Sequence, residues 1–381
     1  VTTEGPLYAI LGQEVEIPFV WTDGVVYLHV ENPGSAYSLW LNDRQVAEVS
    51  DPLTPAEFDL TPYIREGANN FKLLMRNDNP ARQLDAANPA AHKPFENSYL
   101  YYQNKRSIAD FEIALVPDTL GRDFGMLDLR IVAQNAFNYD EPVTVGYDIY
   151  SPQGKLLEFN MTEITIPGRS TDTVRYSPLI YHTYDNKWEA GSKTPPLYKV
   201  MLFTRRNGVY KEYMPMKIGF GKTELVDGRI MRLGKELKLE KAVYNAAADR
   251  KTTLAELKAL KAKGKNTVCP DYPQPAWFYE LCDELGLYVI DQANINAPER
   301  SGDRTVGGTP SNDPQFADEY LERVKAMYYR SRNFTCVVAY SLGGRSGNGY
   351  NMYKAYQWLK SVEKSRPVIY ADADGEWNSD L

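Results

Sequence analysis

The 381 residues contain few of the side chains that mark disulfide frameworks and metal centres: only three cysteines and three histidines are present. The cysteines all lie in the last third of the chain, and Cys269 and Cys336 occupy apolar, strand-like positions. An odd number of such cysteines is typical of buried free thiols, not of a disulfide framework. The histidines, His29, His92 and His182, all precede the last third, so that part offers no imidazole to a metal ion.

The sequence also has no run of basic residues and no long run of apolar residues. Its formal net charge is -7, which excludes the positive field that holds a phosphate backbone, so no nucleic acid is expected as a partner. No apolar run approaches the roughly 20 residues that cross a bilayer, and the first residues lack a signal-peptide pattern. We expect a soluble protein, either cytoplasmic, or periplasmic or secreted after signal removal.

Up to about Asp118 the sequence consists of short alternating runs separated by turn residues, such as "VVYLHVENPG" and "NNFKLLMRND". Residues 119–223 hold a second set, in which Ser-Pro-Gln-Gly and Arg-Asn-Gly form hairpin turns. This pattern predicts two β-sandwiches, the second with the size of an immunoglobulin domain. The 28 tyrosines would suit surfaces that stack on sugars, but sandwich cores also use tyrosine, and the second interpretation carries more weight.

Residues 224–381 show a different pattern, in which short apolar strands alternate with amphipathic helices. One helix is predicted to begin at a capping box of Thr253 and Glu256 and to end near Gly264. Another is predicted to begin at Asp313 and the proline after it. Strict alternation of strand and helix indicates parallel βα units, and hence a barrel or a doubly wound sheet.

Several long stretches of the sequence match the motifs of one family. "AEFDLTPYIREGANNFKLLM" is similar to a jelly-roll segment of that family, and "DNKWEAGSKTPPLYKVMLF" to the end of its immunoglobulin-like sandwich. "WFYELCDELGLYVIDQANI" is similar to its barrel pattern "LWYxLCDxxGLYVxDEANI". The sequence therefore resembles glycoside hydrolase family 2, in particular its β-galactosidases. This resemblance implies a multidomain fold: a jelly-roll-like sandwich of the sugar-binding type at 1–118, an immunoglobulin-like sandwich at 119–223 and a TIM-type α/β barrel at 224–381.

The loop "SLGGRSGNG" departs from the family at its catalytic centre. The resemblance implies a retaining hydrolysis by two carboxylates about 5 Å apart, one the acid/base and the other the nucleophile. Arg345 stands in place of the acid/base glutamate of the family's "GNES", and Gly344 in place of the asparagine that contacts the sugar 2-hydroxyl. Arginine keeps its proton in proteins, so Arg345 can serve neither as acid nor as base. No intact catalytic residue is therefore predicted.

The family's magnesium ligands are missing as well. Its "IETH" motif is here "INAP", so the three ligand positions hold Asn296, Pro298 and Arg345, which offer neither an anionic oxygen nor an imidazole. We therefore predict no metal site and no cofactor. Asp271 replaces another histidine of the family, and Asn245 lies near the place of a further one.

Candidates for the remaining sugar pocket lie at the ends of the predicted barrel strands. They are Asp271, Tyr272, Asn294, Asn296 and Arg345. For Asn294, as for Asp291, capping of the following loop is the favoured role. Arg345 is open to three interpretations: a solvated loop residue, an ion-pair partner of Asp271 or Asp372, or an anion-binding group. The internal ion pair is favoured, because a guanidinium desolvated without a partner is costly.

The third region is too short for a complete barrel, because a closed (β/α)₈ barrel needs at least roughly 200 residues. We predict an incomplete barrel of about five strands, and the strand that carries the family's nucleophile would lie beyond Leu381. Such a barrel has open edges and an uncovered interior face, which favour self-association or docking of a missing partner segment.

Three hypotheses for the function follow. The favoured one is a homologue that acts on or binds carbohydrate but is catalytically inactive in this chain. The second is a fragment of an active retaining β-galactosidase or other glycosidase, whose nucleophile lies beyond residue 381. The third is a protein-interaction module that docks through the open barrel edge. The sequence does not specify the sugar, because the residues that select it in the family are those replaced here.

Overall fold

Two β-sandwiches, followed by parallel strands that alternate with helices, make up the chain in the order that the sequence predicts. The structure is a computed structural model and describes residues 7–76, 78–87, 97–116, 124–183, 186–247 and 249–381. None of the helices in these ranges is long and apolar enough to cross a membrane. All three cysteines are free thiols, as predicted.

The first sandwich packs a four-stranded sheet against a three-stranded sheet. Its strands are β1 (Leu7–Ile17), β2 (Val25–Val30), β3 (Tyr37–Leu41), β4 (Arg44–Val49), β5 (Ala56–Asp59), β6 (Gly67–Arg76) and β7 (Tyr99–Gln103). The sheet orders are β1-β6-β3-β4 and β5-β2-β7. Asn42 and Asp43 form the turn between β3 and β4, and both have positive φ, as a two-residue hairpin turn requires. Leu28, Leu39 and Leu73 lie in the core of this sandwich.

The second sandwich is built from eight described strands. They are β8 (Arg106–Val116), β9 (Phe124–Asn135), β10 (Glu141–Tyr150), β11 (Leu156–Ile166), β12 (Ser170–Tyr176), β13 (Leu179–Tyr181), β14 (Tyr198–Arg206) and β15 (Val209–Ile218). One sheet has the order β11-β10-β14-β15. In the other sheet, β9 pairs with β8 and also with β12 and β13. The core between the two sheets includes Leu129, Ile131 and Leu202.

Strand β8 corrects the predicted boundary between the two sandwiches. The sequence places this strand at the end of the first sandwich, with the boundary at Asp118, which lies outside the described residues. In the structure β8 pairs with β9 over its length, from Arg106 opposite Asn135 to Val116 opposite Met126. Its Ile108 and Ile113 belong to the second core. The second sandwich therefore begins at Arg106, because apolar alternation marks a strand without specifying the sheet that the strand joins.

A small antiparallel sheet lies between the second sandwich and the barrel region. Its strands are β16 (Thr223–Val226), β17 (Arg229–Arg232) and β18 (Lys235–Glu236). We call residues 223–236 the linking hairpin. The sequence assigns this segment to the barrel, whereas its pairing is antiparallel and separate from the parallel strands that follow.

The barrel region contains five parallel strands in sequential order with helices between them. The strands are β19 (Lys241–Val243), β20 (Thr267–Cys269), β21 (Tyr288–Gln292), β22 (Val337–Ser341) and β23 (Val368–Ile369), and the helices are α1 (Arg250–Ala262), α2 (Ala276–Leu285), α3 (Ala317–Ser331) and α4 (Tyr350–Val362). The four described helices share one buried cluster with the strands. Sequential order with the helices on one face forms an arc of a barrel, not a doubly wound sheet. The predicted incomplete barrel is thus confirmed for the described residues.

The inner face of this arc is covered in part by the chain itself. Ile230 of the linking hairpin packs with Ile290 and Ala339. Along their strands these two residues alternate with residues that face the helices, so they lie on the inner face of the arc. Leu237 and Leu239 pack against the same group. The expectation of an uncovered interior face is therefore wrong where the hairpin covers it.

Helix α1 begins at a different cap from the one predicted. Asp249 is the N-cap, and its carboxylate accepts a hydrogen bond from the Thr252 backbone N–H at 2.8 Å. Thr253 is instead buried inside the first turn, where its Oγ1 accepts from the Ala247 N–H at 3.0 Å. The chain leaves the helix near Gly264, which has φ of 81°, in agreement with the predicted end.

Candidate functional site

The candidate site lies where the barrel strands reach their carboxyl ends. Asn245 follows β19, Asp271 follows β20, Gln292 ends β21 and Gly344 follows β22. Because parallel strands place their carboxyl ends at one face of a barrel, these residues lie together. Each of them is half-buried and so keeps part of its surface open to solvent. We call this region, with Asn296, the barrel mouth.

Asp271 is the centre of a hydrogen-bond network at the barrel mouth. Its Oδ2 accepts from Asn245 Nδ2 at 2.8 Å, and its backbone N–H donates to Asn245 Oδ1 at 2.8 Å. Its backbone carbonyl accepts from Gln292 Nε2 at 2.8 Å and from Asn296 Nδ2 at 3.0 Å. Three carboxamides therefore surround a single carboxylate residue, which makes the barrel mouth rich in neutral donors and acceptors.

Gln274 supports this network from below. It is buried, its Nε2 donates to the Tyr272 carbonyl at 2.7 Å, and its Oε1 accepts from the Ala246 N–H at 2.7 Å. Tyr272 is buried as well, and burial, together with the charge of Asp271, raises the pKa of its phenol to about 12. Tyr272 therefore stays protonated at neutral pH.

Gly344 and Asn296 are in close contact. A Cβ atom at position 344 would lie 1.9 Å from Asn296 Oδ1 and 3.0 Å from its Cγ. The Asn296 carboxamide thus occupies the space that a side chain at position 344 would need. Any residue other than glycine at this position forces Asn296 into another conformation.

Arg345 does not form the predicted ion pair. Its side chain is exposed and has no ion-pair partner among the residues that the structure describes. The Asp372 carboxylate instead accepts from the backbone N–H groups of Ser346 and Gly347 at 2.8 and 2.7 Å, and Asp271 is held by Asn245. The favoured interpretation is therefore wrong, because backbone donors already satisfy the carboxylate that was expected to hold the guanidinium.

Asn294 lies away from the barrel mouth. It is fully buried, and its Nδ2 donates to Asp51 Oδ1 at 2.7 Å and to Asp85 Oδ1 at 3.2 Å. Both carboxylates belong to the first sandwich, so Asn294 contributes to the interface between that sandwich and the barrel. Next to it, the backbone of Asn296 accepts from the Ala86 N–H at 3.0 Å and donates to the Leu84 carbonyl at 2.7 Å. The first sandwich thus borders the barrel mouth.

Asp291 is a buried carboxyl group at the end of β21. Its Oδ1 accepts from the Tyr279 hydroxyl at 2.8 Å and from the Gln292 N–H at 3.2 Å. Burial raises the pKa of this carboxyl from its ordinary value of 3.8 to about 6. The contacts agree with a structural role for Asp291.

Replacing Asp291 with asparagine should flatten the pH dependence of stability. A carboxyl group whose pKa is raised on folding stabilises the folded state, and this stabilisation is complete below about pH 4 and is lost as pH rises through about 6. A pKa increase of this size corresponds to about 3 kcal/mol in the free energy of unfolding. The introduced carboxamide cannot titrate but can still accept from Tyr279. The free energy of unfolding of Asp291→Asn, measured by urea titration at pH 4 to 8, should therefore rise with pH relative to that of wild type. The control Asp172→Asn, at an exposed site, should show no such trend. Parallel curves for Asp291→Asn and wild type would contradict this assignment.

Comparison with known proteins identifies the family. The family model "Glycosyl hydrolases family 2, sugar binding domain" matches residues 3–86, and "Glycosyl hydrolases family 2, TIM barrel domain" matches residues 241–380. The chain belongs to glycoside hydrolase family 2. The beta-galactosidase of Vibrio cholerae is 30% identical over 357 residues, which cover 88% of this chain and 33% of the relative. The beta-galactosidase of Priestia megaterium is 28% identical over 372 residues, which cover 92% of this chain and 35% of the relative. The chain thus spans about a third of the length of these curated relatives.

Solved structures of family 2 share the fold. A family 2 member from Bacteroides cellulosilyticus superposes with a TM-score of 0.78 at 17% identity and covers 95% of this chain and 49% of its own. A beta-glucuronidase from Bacteroides uniformis superposes with a TM-score of 0.79 at 16% identity, and the match covers 95% of this chain and 46% of the beta-glucuronidase. At these identities the likeness concerns the fold alone.

The family's metal position does not fit the residues present here. Pro298 and Arg345 are exposed, and Asn296 uses its carboxamide on Asp271 and over Gly344. Within the described ranges, no group of three or more His, Cys, Asp or Glu side chains is placed to hold a metal ion. The absence of a magnesium site stays a prediction.

Gln292 of the barrel mouth and the buried Gln274 that supports it are missing from the sequence-based candidates. Gln292 stands where the family pattern has the glutamate of "DEAN", and this difference could have been read from the motif itself. Gln274 has no such signal, because only the folded loop brings its carboxamide to Asn245 and Tyr272.

Proposed function

We propose that this family 2 homologue binds a neutral carbohydrate at the barrel mouth and does not hydrolyse it. The observation that supports the proposal most strongly is the state of position 345. The family pattern has its acid/base carboxyl there, whereas Arg345 is exposed and unpaired among the described residues. A guanidinium can neither donate nor recover the proton that hydrolysis requires.

The side chains of the barrel mouth favour a neutral sugar as the ligand. Asn245, Gln292 and Asn296 supply amide donors and acceptors, which suit hydroxyl groups, and each is half-buried. Asp271 is the one carboxylate in this network, and Asn245 holds it from the side. Sugar binding also agrees with the sugar-binding and barrel models that match the chain.

The other two hypotheses stay predictions. The second hypothesis, a working hydrolase with its nucleophile beyond residue 381, is compatible with a chain that spans about a third of its curated relatives. No contact at the barrel mouth favours it. For docking through the barrel edges, β19 and β23 are the outer strands of the described sheet. No observation identifies a partner for either edge.

Binding can be measured by isothermal titration with galactose, glucose and mannose, and with glucuronate as a charged comparison. We expect a neutral sugar to bind, and Asn296→Ala to weaken its Kd by about 3- to 10-fold, as loss of one hydrogen bond predicts. Asn160→Ala is the matched control, because Asn160 is exposed on the second sandwich. If no sugar binds, or if both variants behave alike, the barrel mouth is not the site.

A further inference from the structure

A cavity lies at the opposite end of the barrel from the barrel mouth. It has a volume of about 260 Å³ and lies where the second sandwich, the linking hairpin and the barrel meet. Strand β8, the amino-terminal end of β22 and the segment before β23 form its walls. The sugar-site proposal uses none of these residues.

The walls of this cavity carry an excess of positive charge. Five cationic side chains line it, against two carboxylates, Glu112 and Glu363. The cations are Lys222, Arg232, Arg332, Lys364 and Arg366. Each carboxylate already has a cation of its own: Glu363 accepts from Arg366 Nε at 2.7 Å, and Glu112 from Arg130 Nε at 3.4 Å. Outside the wall, Glu224 pairs with Lys222 at 3.7 Å and Asp110 with Arg332 at 2.6 Å, so Arg232 and Lys364 are the wall cations without an ion-pair partner among the described residues.

Arg232 is a buried cation without a close carboxylate. It is 4% exposed, and its guanidinium donates to Thr223 Oγ1 at 3.0 Å and to the Trp188 carbonyl at 3.1 Å. No carboxylate of the described residues lies within 4.0 Å of it. Burial lowers its pKa to about 10, so it remains charged at neutral pH, and the carboxylates of Glu189 and Asp283 act on it only from a greater distance. A buried charge of this kind is costly unless it is paired.

Arg332 provides a second observation in the same wall. It is 6% exposed, its Nη2 donates to Asp110 Oδ1 at 2.6 Å, and its Nε has no hydrogen-bond partner in the part of the chain that the structure describes. Because this Nε has no accessible surface, Arg332 contributes its charge to the wall and not a hydrogen bond to a ligand. Lys364 is exposed at the rim of the cavity, which opens a path from solvent.

We propose that this cavity binds a small oxyanion, either a carboxylate or a phosphate group. Its oxygens accept hydrogen bonds from the Arg232 guanidinium, and the charge of Arg332 in the same wall adds attraction. Lys222 and Lys364 add long-range attraction at the rim. Guanidinium groups suit this ligand, because their planar donors match both carboxylate and phosphate oxygens. Such an ion would bridge three parts of the chain and stabilise their arrangement.

The test is isothermal titration of the 381-residue chain with inorganic phosphate and, separately, with citrate, at an ionic strength held constant with sodium chloride. We expect saturable binding with one ion per chain. The ion that binds more tightly distinguishes a phosphate ligand from a carboxylate ligand. Arg232→Gln should weaken the Kd at least 10-fold, whereas Lys235→Gln, on the same hairpin but outside the cavity, should leave it unchanged.

Two milder variants keep the test informative if Arg232→Gln does not fold. Lys222→Gln and Lys364→Gln each remove one positive charge from the rim of the cavity. Each should weaken the Kd by about 3-fold or more. The proposal is overturned if neither ion binds saturably, if chloride competes equally with both, or if these variants bind as wild type does.

Discussion

Incubated with a nitrophenyl β-galactoside, the 381-residue chain should release nitrophenol no faster than buffer does. Arg345 cannot replace a carboxylic acid, and general acid catalysis alone is worth roughly 10²- to 10⁴-fold in rate. The carboxylates nearest to the loop are also engaged, since Asp372 accepts from two backbone N–H groups and Asp271 pairs with Asn245. An aryl leaving group needs little acid assistance, so this substrate would still reveal a working nucleophile.

The same assay should show no recovery for the double variant Arg345→Glu, Gly344→Asn. A Cβ atom at position 344 would meet Asn296 Oδ1 at 1.9 Å, so the restored asparagine competes with Asn296 for one space. A retaining reaction also requires a second, nucleophilic carboxylate, and Asp271, the carboxylate of the barrel mouth, is held by Asn245. Arg345→Gln, which changes the charge without adding a carboxyl, is the control.

A burst of nitrophenol stoichiometric with the unmodified chain would contradict this prediction. Such a burst would show that a carboxylate forms a covalent glycosyl ester, with Asp271 and Asp372 as the first residues to replace. Steady turnover that appears only in the double variant would show that the loss of activity resides at positions 344 and 345 alone.

The largest effect on stability is expected at the interface between helix α3 and the first sandwich. Arg323 is 1% exposed, and its Nη1 donates to Asp85 Oδ1 at 2.6 Å and to the Asn294 carbonyl at 2.7 Å. Replacing Arg323 with methionine leaves the buried Asp85 carboxylate without its cation. Removing one partner of a buried ion pair typically costs about 3–5 kcal/mol in the free energy of unfolding.

The pH dependence separates this effect from a simple loss of packing. Burial raises the pKa of Asp85 to about 6, although Arg323 opposes the rise. The contribution of Asp85 to stability is therefore present below about pH 4 and is lost as pH rises through about 6. Without Arg323 the ionised form of Asp85 is disfavoured further. The loss in the free energy of unfolding of Arg323→Met, measured by urea titration, should therefore be larger at pH 8 than at pH 5.

Lys325→Met on the same helix is the matched control for Arg323→Met. Lys325 pairs at 2.8 Å with Glu322, whose side chain is 68% exposed, and such surface pairs contribute about 0–1 kcal/mol. The double variant Arg323→Met, Asp85→Asn should recover part of the loss, because it removes the stranded charge. Equal losses for Arg323→Met and Lys325→Met would show that the buried pair contributes no more than a surface pair.

Local sequence patterns predict the elements of this fold better than they predict the contacts between elements. The Arg-Asn-Gly turn at 206–208 and the alternation of strands and helices are set by backbone preferences over a few residues, and the structure has both. The sheet that β8 joins and the residues that approach Asn294 depend on segments far apart in sequence. The hydrophobic periodicity of a segment gives no information about such long-range contacts.

The candidate site shows the same division. The family motifs predict correctly that residues near Asp271, Asn296 and Gly344 meet at the ends of the barrel strands. The ion pair expected for Arg345 from the cost of desolvation is wrong, because the backbone donors that satisfy Asp372 cannot be identified from side chains in the sequence. Gln274 is absent from the candidates for a similar reason.

The membership of β8 in the second sandwich bears on how the chain can be divided for expression. A first fragment that ends at residue 118 would carry a strand whose pairing partner has been removed. That strand would present unpaired backbone groups and the apolar side chains of Ile108 and Ile113 to other molecules. A cut between residues 105 and 106 keeps β8 with β9, so that both fragments retain complete sheets and avoid an aggregation-prone edge.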